Sequence, residues 1–348
     1  MKIPKTRGLV SQTSPVSPTA SQSSTIAIAP PAVNPFLVNS VVNIPDDAFS
    51  SLRSLELMHK FSTETYKSLS NDPSDYSVWQ MEIPRKALEH DFLLSGILAI
   101  AALHTATSIE GPMALSYVDT ALEYHNVASA PYRLALDNLT PLNCDAVFAH
   151  SIITTVIGIS LPRLTASRDE SSNMTENIIV VFELLQGVKK IIWISKPWLH
   201  ARLFNSRHEL WKDNLLEPEP DADSALAELA ALNDKMAAID PEQHRINRDA
   251  IMFLRRCYSR HVIVRDAASV LTWLAAVDKD FVDRLRRRQP FPLFVLMHWA
   301  VLLGELDGKM WWAQNSGKAL ITELSDALQH DILQWGLTQL WPKEKMGL

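Results

Sequence analysis

From about residue 46 onward, apolar positions along the chain recur at steps of three and four. Leu55, Met58, Phe61, Thr65 and Leu69 share one face at that spacing, the period of a helix with one buried stripe. Asn71-Asp72-Pro73 breaks the run. Pro84 suits a first helical turn, and Leu88, Phe92, Leu93, Gly96, Ala99, Ile100 and Leu103 follow with apolar residues on nearly every side. A helix apolar all round belongs in the centre of a fold. Gly111-Pro112 restarts a helix over 113–128, which Pro131 kinks or follows with another. Asn143 is placed to cap a second buried helix, 144–160, that Leu161-Pro162 ends.

Residues 163–173 read as a polar loop. Thr175 then caps a helix with Ile178, Val181, Phe182, Leu185, Val188 and Ile192 on its inner face. Acidic, proline-containing Glu217-Pro218-Glu219-Pro220-Asp221 is a solvent loop. Further helices are expected over 225–238, 241–277, 291–306 and about 309–328. No run alternates with period two over six residues, so the pattern predicts an all-α fold.

Composition changes this picture at the N-terminal end. Residues 1–35 hold six Pro, six Ser and four Thr and no aromatic residue. Such a segment buries too little apolar area to offset the entropy of ordering. The expected organisation is a disordered Ser/Thr/Pro-rich tail, 1–45, then one large multi-helix domain, 46–348. With 47% hydrophobic residues the domain can bury a large core, and ten Trp against ten Gly suit packed helices. The apolar stretches 92–103 and 146–161 are interrupted by polar residues and fall short of the about 20 needed to cross a bilayer. No membrane span and no secretory signal are expected, which points to nucleus or cytoplasm.

Candidate chemistry is sparse. A zinc binuclear cluster needs six cysteines in two Cys-x2-Cys-x6-Cys arms. The chain has two, Cys144 and Cys257, so neither that cluster nor a four-thiolate zinc site is available. His90-Asp91, Glu123-x-His125 and His208-Glu209 are neighbouring acids and imidazoles without metal-binding spacing, so no metal and no cofactor are expected. There is no Gly-x-Ser-x-Gly elbow and no phosphate-binding glycine loop. Cys144 at a helix start has the position of a lowered-pKa thiol, although a small buried hydrophobe is the favoured reading. Arg284-x-Arg286-Arg287-Arg288 fits either a nuclear-import or phosphate-contacting patch or, favoured here, cations at a helix C-terminus. Net charge is −6, which argues against a nucleic-acid footprint.

Aromatic residues and a few polar groups inside apolar helices are what a small-molecule pocket uses, and also what a tryptophan-rich core uses. Phe92, Leu93, His104, His298, Trp299, Trp311 and Trp312 are the ligand-binding candidates. An apolar cavity is expected between the helix around 92–104, the helix around 291–306 and the one starting near Met310.

A resemblance enters at two stretches. The first runs Leu55-Glu-Leu-Met-His-Lys-Phe, Thr65-Tyr66-Lys67, Val78-Trp79-Gln80, Ile83-Pro84 and Ala87-Leu88-x-His90-Asp91-Phe92-Leu93-Leu94 into Gly96-Ile-Leu-Ala-Ile-Ala-Ala-Leu-His104. The second is Leu293-Phe-Val-Leu-Met-His-Trp-Ala-Val-Leu-Leu303, Leu306-Asp307 and Trp311-Trp312. Together they resemble the C-terminal regulatory domain of fungal zinc binuclear-cluster transcription factors, nearest to the branch that contains the sterol uptake control protein. The resemblance covers about residues 50–342. It implies an all-helical domain that senses a lipophilic ligand, sterol or terpenoid-like. The chain departs from the family pattern in lacking the cluster, so no direct sequence-specific DNA binding is expected; it either acts through a protein partner or homodimer or is a fragment of a full factor. The alternative is an enzyme of fungal secondary metabolism that has turned the apolar pocket to chemistry on a terpenoid or polyketide-like substrate; a pure scaffold with no ligand ranks below both.

Overall fold

Helix α1 starts at Ala48 and runs to Thr63, and the chain is helical in nearly every later segment of this computed structural model. The structure describes residues 48–70, 73–165, 173–199, 216–265, 267–335, 337 and 340–348. The tail expected over 1–45, the break at Asn71-Asp72, residues 166–172 of the expected loop and His208-Glu209 lie outside them. A 3-10 turn, Thr65–Ser68, follows α1. The short α2 (Pro73–Ser77) and α3 (Ile83–Ala87) flank a π-helical turn, Val78–Glu82. Then come α4 (Asp91–Ala106), α5 (Pro112–Asp137), α6 (Cys144–Thr165) and α7 (Met174–Leu199). The second half holds α8 (Pro220–Asp234), α9 (Pro241–Val264), α10 (Ala267–Ala276), α11 (Lys279–Arg286) and α12 (Pro290–Gly304). A 3-10 turn, Trp311–Ala313, leads to α13 (Ser316–Ala327), α14 (Gln329–Gln334) and α15 (Trp341–Met346). No strand occurs among the described residues, as the sequence pattern requires.

Two helices organise the interior. In α4, Phe92, Leu93, Ser95–Leu103 and Ala106 are all buried, and the helix packs against α1, α5 and α6. Small residues make this close packing achievable. A Cβ added at Gly96 would lie 2.5 Å from His150 Nδ1 on α6. Around α12 every residue from Phe291 to Gly304 is buried, against α9, α13 and α15. At the end of α12 the backbones of Gly304 and Gly317 approach so closely that a Cβ on Gly317 would sit 2.5 Å from the Gly304 nitrogen. Helix α7 joins the two halves, packing on α6 before it and on α10, α11 and α13 after it.

Several boundaries depart from the sequence reading. Pro131 and Pro162 lie inside α5 and α6 and end neither helix. A proline within a helix costs about 3 kcal/mol, and the extensive packing of α5 on α4 and of α6 on α7 outweighs it. The extension carries α6 to Thr165, so it is 22 residues long and apolar enough, by length and composition, to cross a membrane. Its flanks are instead covered by α4, α5 and α7. Asn143 immediately precedes α6: its carbonyl accepts from the Val147 amide at 2.9 Å, while its Oδ1 accepts from the Thr140 amide at 2.8 Å, closing the preceding turn. The expected run 241–277 breaks at Arg265, whose left-handed φ of 49° terminates α9. The helix expected from residue 309 begins only at Ser316, because Gly308 and Asn315 both take positive φ. On α1 the buried face is Leu57 and Phe61, whereas Leu55 is exposed.

A candidate functional site among buried aromatic clusters

The seven candidate residues fall into three neighbourhoods. At the C-terminal end of α4, His104, Trp311 and Trp312 converge on the 3-10 turn Thr65–Ser68. The His104 imidazole stacks on the Trp311 indole, with centroids 4.9 Å apart and planes 7° from parallel, and its Nδ1 lies 2.9 Å from Thr65 Oγ1. Both indoles end on Ser68: Trp311 Nε1 donates to Oγ at 2.8 Å and Trp312 Nε1 to the carbonyl at 3.0 Å. Arg163 on α6 donates to the Trp311 carbonyl at 3.4 Å. Burial, helped by the Lys60 charge, pulls the His104 pKa down to about 4, so the ring is neutral at physiological pH.

The second neighbourhood is the middle of α12. Trp299 is fully buried; it stacks on Trp273 of α10 and donates to the Val270 carbonyl at 2.9 Å. Trp273 meets Phe182 and Phe281 edge-on and donates to the Ala250 carbonyl at 2.9 Å. His298 is next in sequence but faces elsewhere, since neighbours on a helix diverge by about 100°. Its Nδ1 lies 2.9 Å from the Phe294 carbonyl, so that nitrogen carries the proton. Its ring faces Trp341 of α15, and its own carbonyl accepts from Tyr258 at 2.7 Å. Burial lowers the His298 pKa to about 4.

Phe92 and Leu93 lie at the opposite end of α4 from His104, about 18 Å away at 1.5 Å per residue. Leu93 is fully buried. Phe92 packs with Tyr132, His150 and His90. The His150 ring lies 4.5 Å from that of Tyr132, whose hydroxyl is 2.6 Å from Ser151 Oγ. Among the described residues the buried Nδ1 atoms of His125 and His150 have no hydrogen-bond partner. Burial and the neighbouring His125 hold the His150 pKa down at about 3, while burial pushes the Tyr132 hydroxyl up to about 12.

A pocket that the sequence reading did not anticipate opens between α8, α9, α12 and α15. Its volume is about 40 Å³, and Tyr258, Val301, Leu302 and Trp341 line it, with Glu219, Arg265, Glu305 and Lys345 at its mouth. The tryptophan-proline pair at 341–342 was a visible signal, but it stands outside any periodic run.

Other candidate chemistry resolves into structure. Among the described residues no group of three or more His, Cys, Asp or Glu side chains is gathered as a metal would need. Both cysteines are buried and neither forms a disulfide among the described residues, and burial raises the Cys257 thiol to about 12. The arginine run is engaged with neighbouring helices. Arg286 pairs with Glu183 of α7, and Arg288 pairs with Glu176 of α7 at 2.7 Å and Glu323 of α13 at 3.9 Å.

No family model matches the chain. Over 311 residues, 83% of this chain, it is 25% identical to a Zn(2)-C6 fungal-type transcription factor of Gibberella zeae. The chain is thus similar to a fungal transcription factor. It spans about 60% of that relative's length. Because the similarity extends over most of the chain, it concerns the helical body as a whole and singles out none of the three aromatic neighbourhoods.

Proposed function

We propose that this chain is a transcription-regulator-like protein whose helical body senses a lipophilic small molecule of sterol or terpenoid kind. The observation that carries the regulator reading is the similarity over 83% of the chain to a Zn(2)-C6 fungal-type transcription factor. Assignment to the branch containing the sterol uptake control protein rests on the motif runs at the two ends of the helical body. The contact with DNA is supplied from outside these 348 residues, for instance by a protein partner. The 348 residues hold two cysteines, both within helices, and a net charge of −6 repels a phosphate backbone. The protein acts in the nucleus or cytoplasm. Neutral His104, half-buried, and His298, buried, beside indoles support the ligand reading, since apolar sites with a few polar groups suit lipophilic molecules.

The test is a thermal-shift screen of the purified chain with sterols and terpenoids, run beside a duplex-retention assay at physiological salt. A ligand at a hundredfold excess over its Kd should stabilise the fold by about 2.7 kcal/mol. Tight sequence-dependent retention of a duplex by the chain alone would overturn the division of labour, and a flat screen would overturn the sensing role.

A further inference from the structure

We propose that the groove between α8, α9 and α12, filled here by the Trp341 indole, is a binding site for a small aromatic bicycle carrying one hydrogen-bond donor. The inference is independent of the sterol reading, because the space is the size of an indole. Helix α15 has six residues, too few to be stable without docking. The Trp341 ring docks it together with the buried Pro342 and with Met346, whose thioether packs against Gly304 of α12. The Trp341 indole lies parallel to the His298 imidazole (centroids 6.0 Å apart, planes at 18°) and meets Tyr258 edge-on at 6.0 Å. Its Nε1 points to Asp221 Oδ2 on α8 at a long 3.4 Å. Lys345 of the same helix holds that oxygen at 2.7 Å and Glu219 at 3.7 Å.

Trp341 is therefore seated as a ligand would be: a flat apolar ring on an aromatic and aliphatic floor, with a donor turned to a carboxylate. The fit is loose. A cavity of about 40 Å³ remains beside the ring over Ala222, Val262, Val301 and Leu302. One water needs about 10–15 Å³, so the gap holds a few waters at most against a mainly apolar floor. When α15 lifts, the indole's own volume joins that gap. Asp221 then exchanges the indole N–H and Lys345 for water and faces the opened groove as a solvated carboxylate, still accepting from the Ala222 amide, which a ligand donor can reach. A bicyclic aromatic with a hydroxyl or N–H satisfies both demands, and its binding competes with the chain's own C-terminal helix.

The probe is 2-naphthol, titrated by calorimetry against the full chain, with 2-methoxynaphthalene as the partner lacking a donor. In the wild type, binding must first expel the indole, so the apparent affinity is reduced by the fraction of open groove. Trp341→Ala should bind 2-naphthol at least about tenfold more tightly than wild type, and 2-methoxynaphthalene about fivefold more weakly than 2-naphthol. Lys345→Ala leaves the indole and Asp221 in place but loosens α15, and should tighten 2-naphthol binding by a few fold. If Trp341→Ala loses its helical circular dichroism, the Lys345→Ala comparison decides. Equal affinity in wild type and variants, parity of the two probes, or no saturable binding to the variants overturns the inference. A sterol that stabilises wild type and both variants alike would leave the regulator reading standing and this groove excluded.

Discussion

Lowering the pH should destabilise this fold well before its carboxylates titrate, because imidazoles are buried in the neutral state. His150 and His298 are almost wholly enclosed, and burial depresses their pKa values from 6.5 to about 3 and about 4. In the unfolded chain both take up a proton near pH 6.5; in the folded chain neither does until the pH approaches its depressed value. Stability is thus fully present above pH 6.5 and falls as the pH drops toward 4, the unfolded state binding more protons throughout that window. Each unit is worth about 1.36 kcal/mol per group, so at about pH 4.5 each imidazole has withdrawn about 2.5 kcal/mol. The two together withdraw about 5 kcal/mol, comparable to the whole stability of a marginal protein. The assay is urea unfolding by far-ultraviolet circular dichroism at fixed pH values from 7.5 to 4.5, on wild type and His150→Leu. Leucine is of similar volume and removes a buried nitrogen that lacks a partner among the described residues. At pH 7.5 the variant should be as stable as wild type or more so, and its loss of stability per pH unit below 6.5 should be smaller by about 1.36 kcal/mol. Acidic ion pairs titrate equally in both proteins and cancel. Parallel pH profiles would show that His150 is protonated or solvated in the folded state and refute the reasoning.

Gly317→Ala should be severely destabilising, by about 3 kcal/mol, because its Cβ would meet only backbone: Gly304 N at 2.5 Å, and the Ala300 carbonyl and Gly304 Cα at 2.6 Å. An unchanged calorimetric midpoint would mean α12 and α13 do not approach so closely. Glu323 of α13 accepts from the Met174 amide at 2.7 Å, the Thr175 amide at 3.2 Å and the Thr175 hydroxyl at 2.6 Å, capping α7 from another helix. Glu323→Ala should cost about 1–2 kcal/mol in urea unfolding and Glu323→Gln less, since the amide oxygen still accepts; equal costs for the two would deny the cap.

The elements were legible where apolar period and burial agree. The stretches 92–103 and 291–306 have apolar residues on nearly every side, and both became the enclosed helices α4 and α12. Boundaries were less legible, because they are decided by contacts that no local pattern displays. Proline within a helical pattern is ordinarily a stop signal, yet α5 and α6 run through Pro131 and Pro162 because partner helices hold both sides of the break. Thr175 was legible as a helix start, but what satisfies that start is Glu323, 148 residues away in the chain, together with Asn173, whose Oδ1 accepts from the Glu176 amide at 3.2 Å. The candidate site was legible as a set of residue types and not as a place. His298 and Trp299 are adjacent in sequence, and the first meets α15 while the second meets α10. His150 carried no sequence signal, since what marks it is its approach to Gly96 on another helix.

The indole nitrogens distinguish tryptophans that brace the fold from Trp341. Trp273 donates to the Ala250 carbonyl, Trp299 to Val270 and Trp312 to Ser68, each at 2.9–3.0 Å and each with the ring almost wholly buried. Every one of these bonds ties a helix or turn to the backbone of another element: α10 to α9, α12 to α10, and the 311–313 turn to the 65–68 turn. Displacing such a ring would strand a buried donor and a buried carbonyl together, a cost of about 1–3 kcal/mol for each group left unsatisfied. Trp341 is placed differently. It is half-buried, its N–H meets an exposed carboxylate at 3.4 Å, and it leaves space beside it. Water can satisfy both Asp221 and the indole when they part. The energetic asymmetry is therefore large at Trp299 and Trp312, which the sequence singled out, and small at Trp341, which it did not. A ligand that needs a ring to move will find a lower barrier at Trp341 than at Trp273, Trp299 or Trp312.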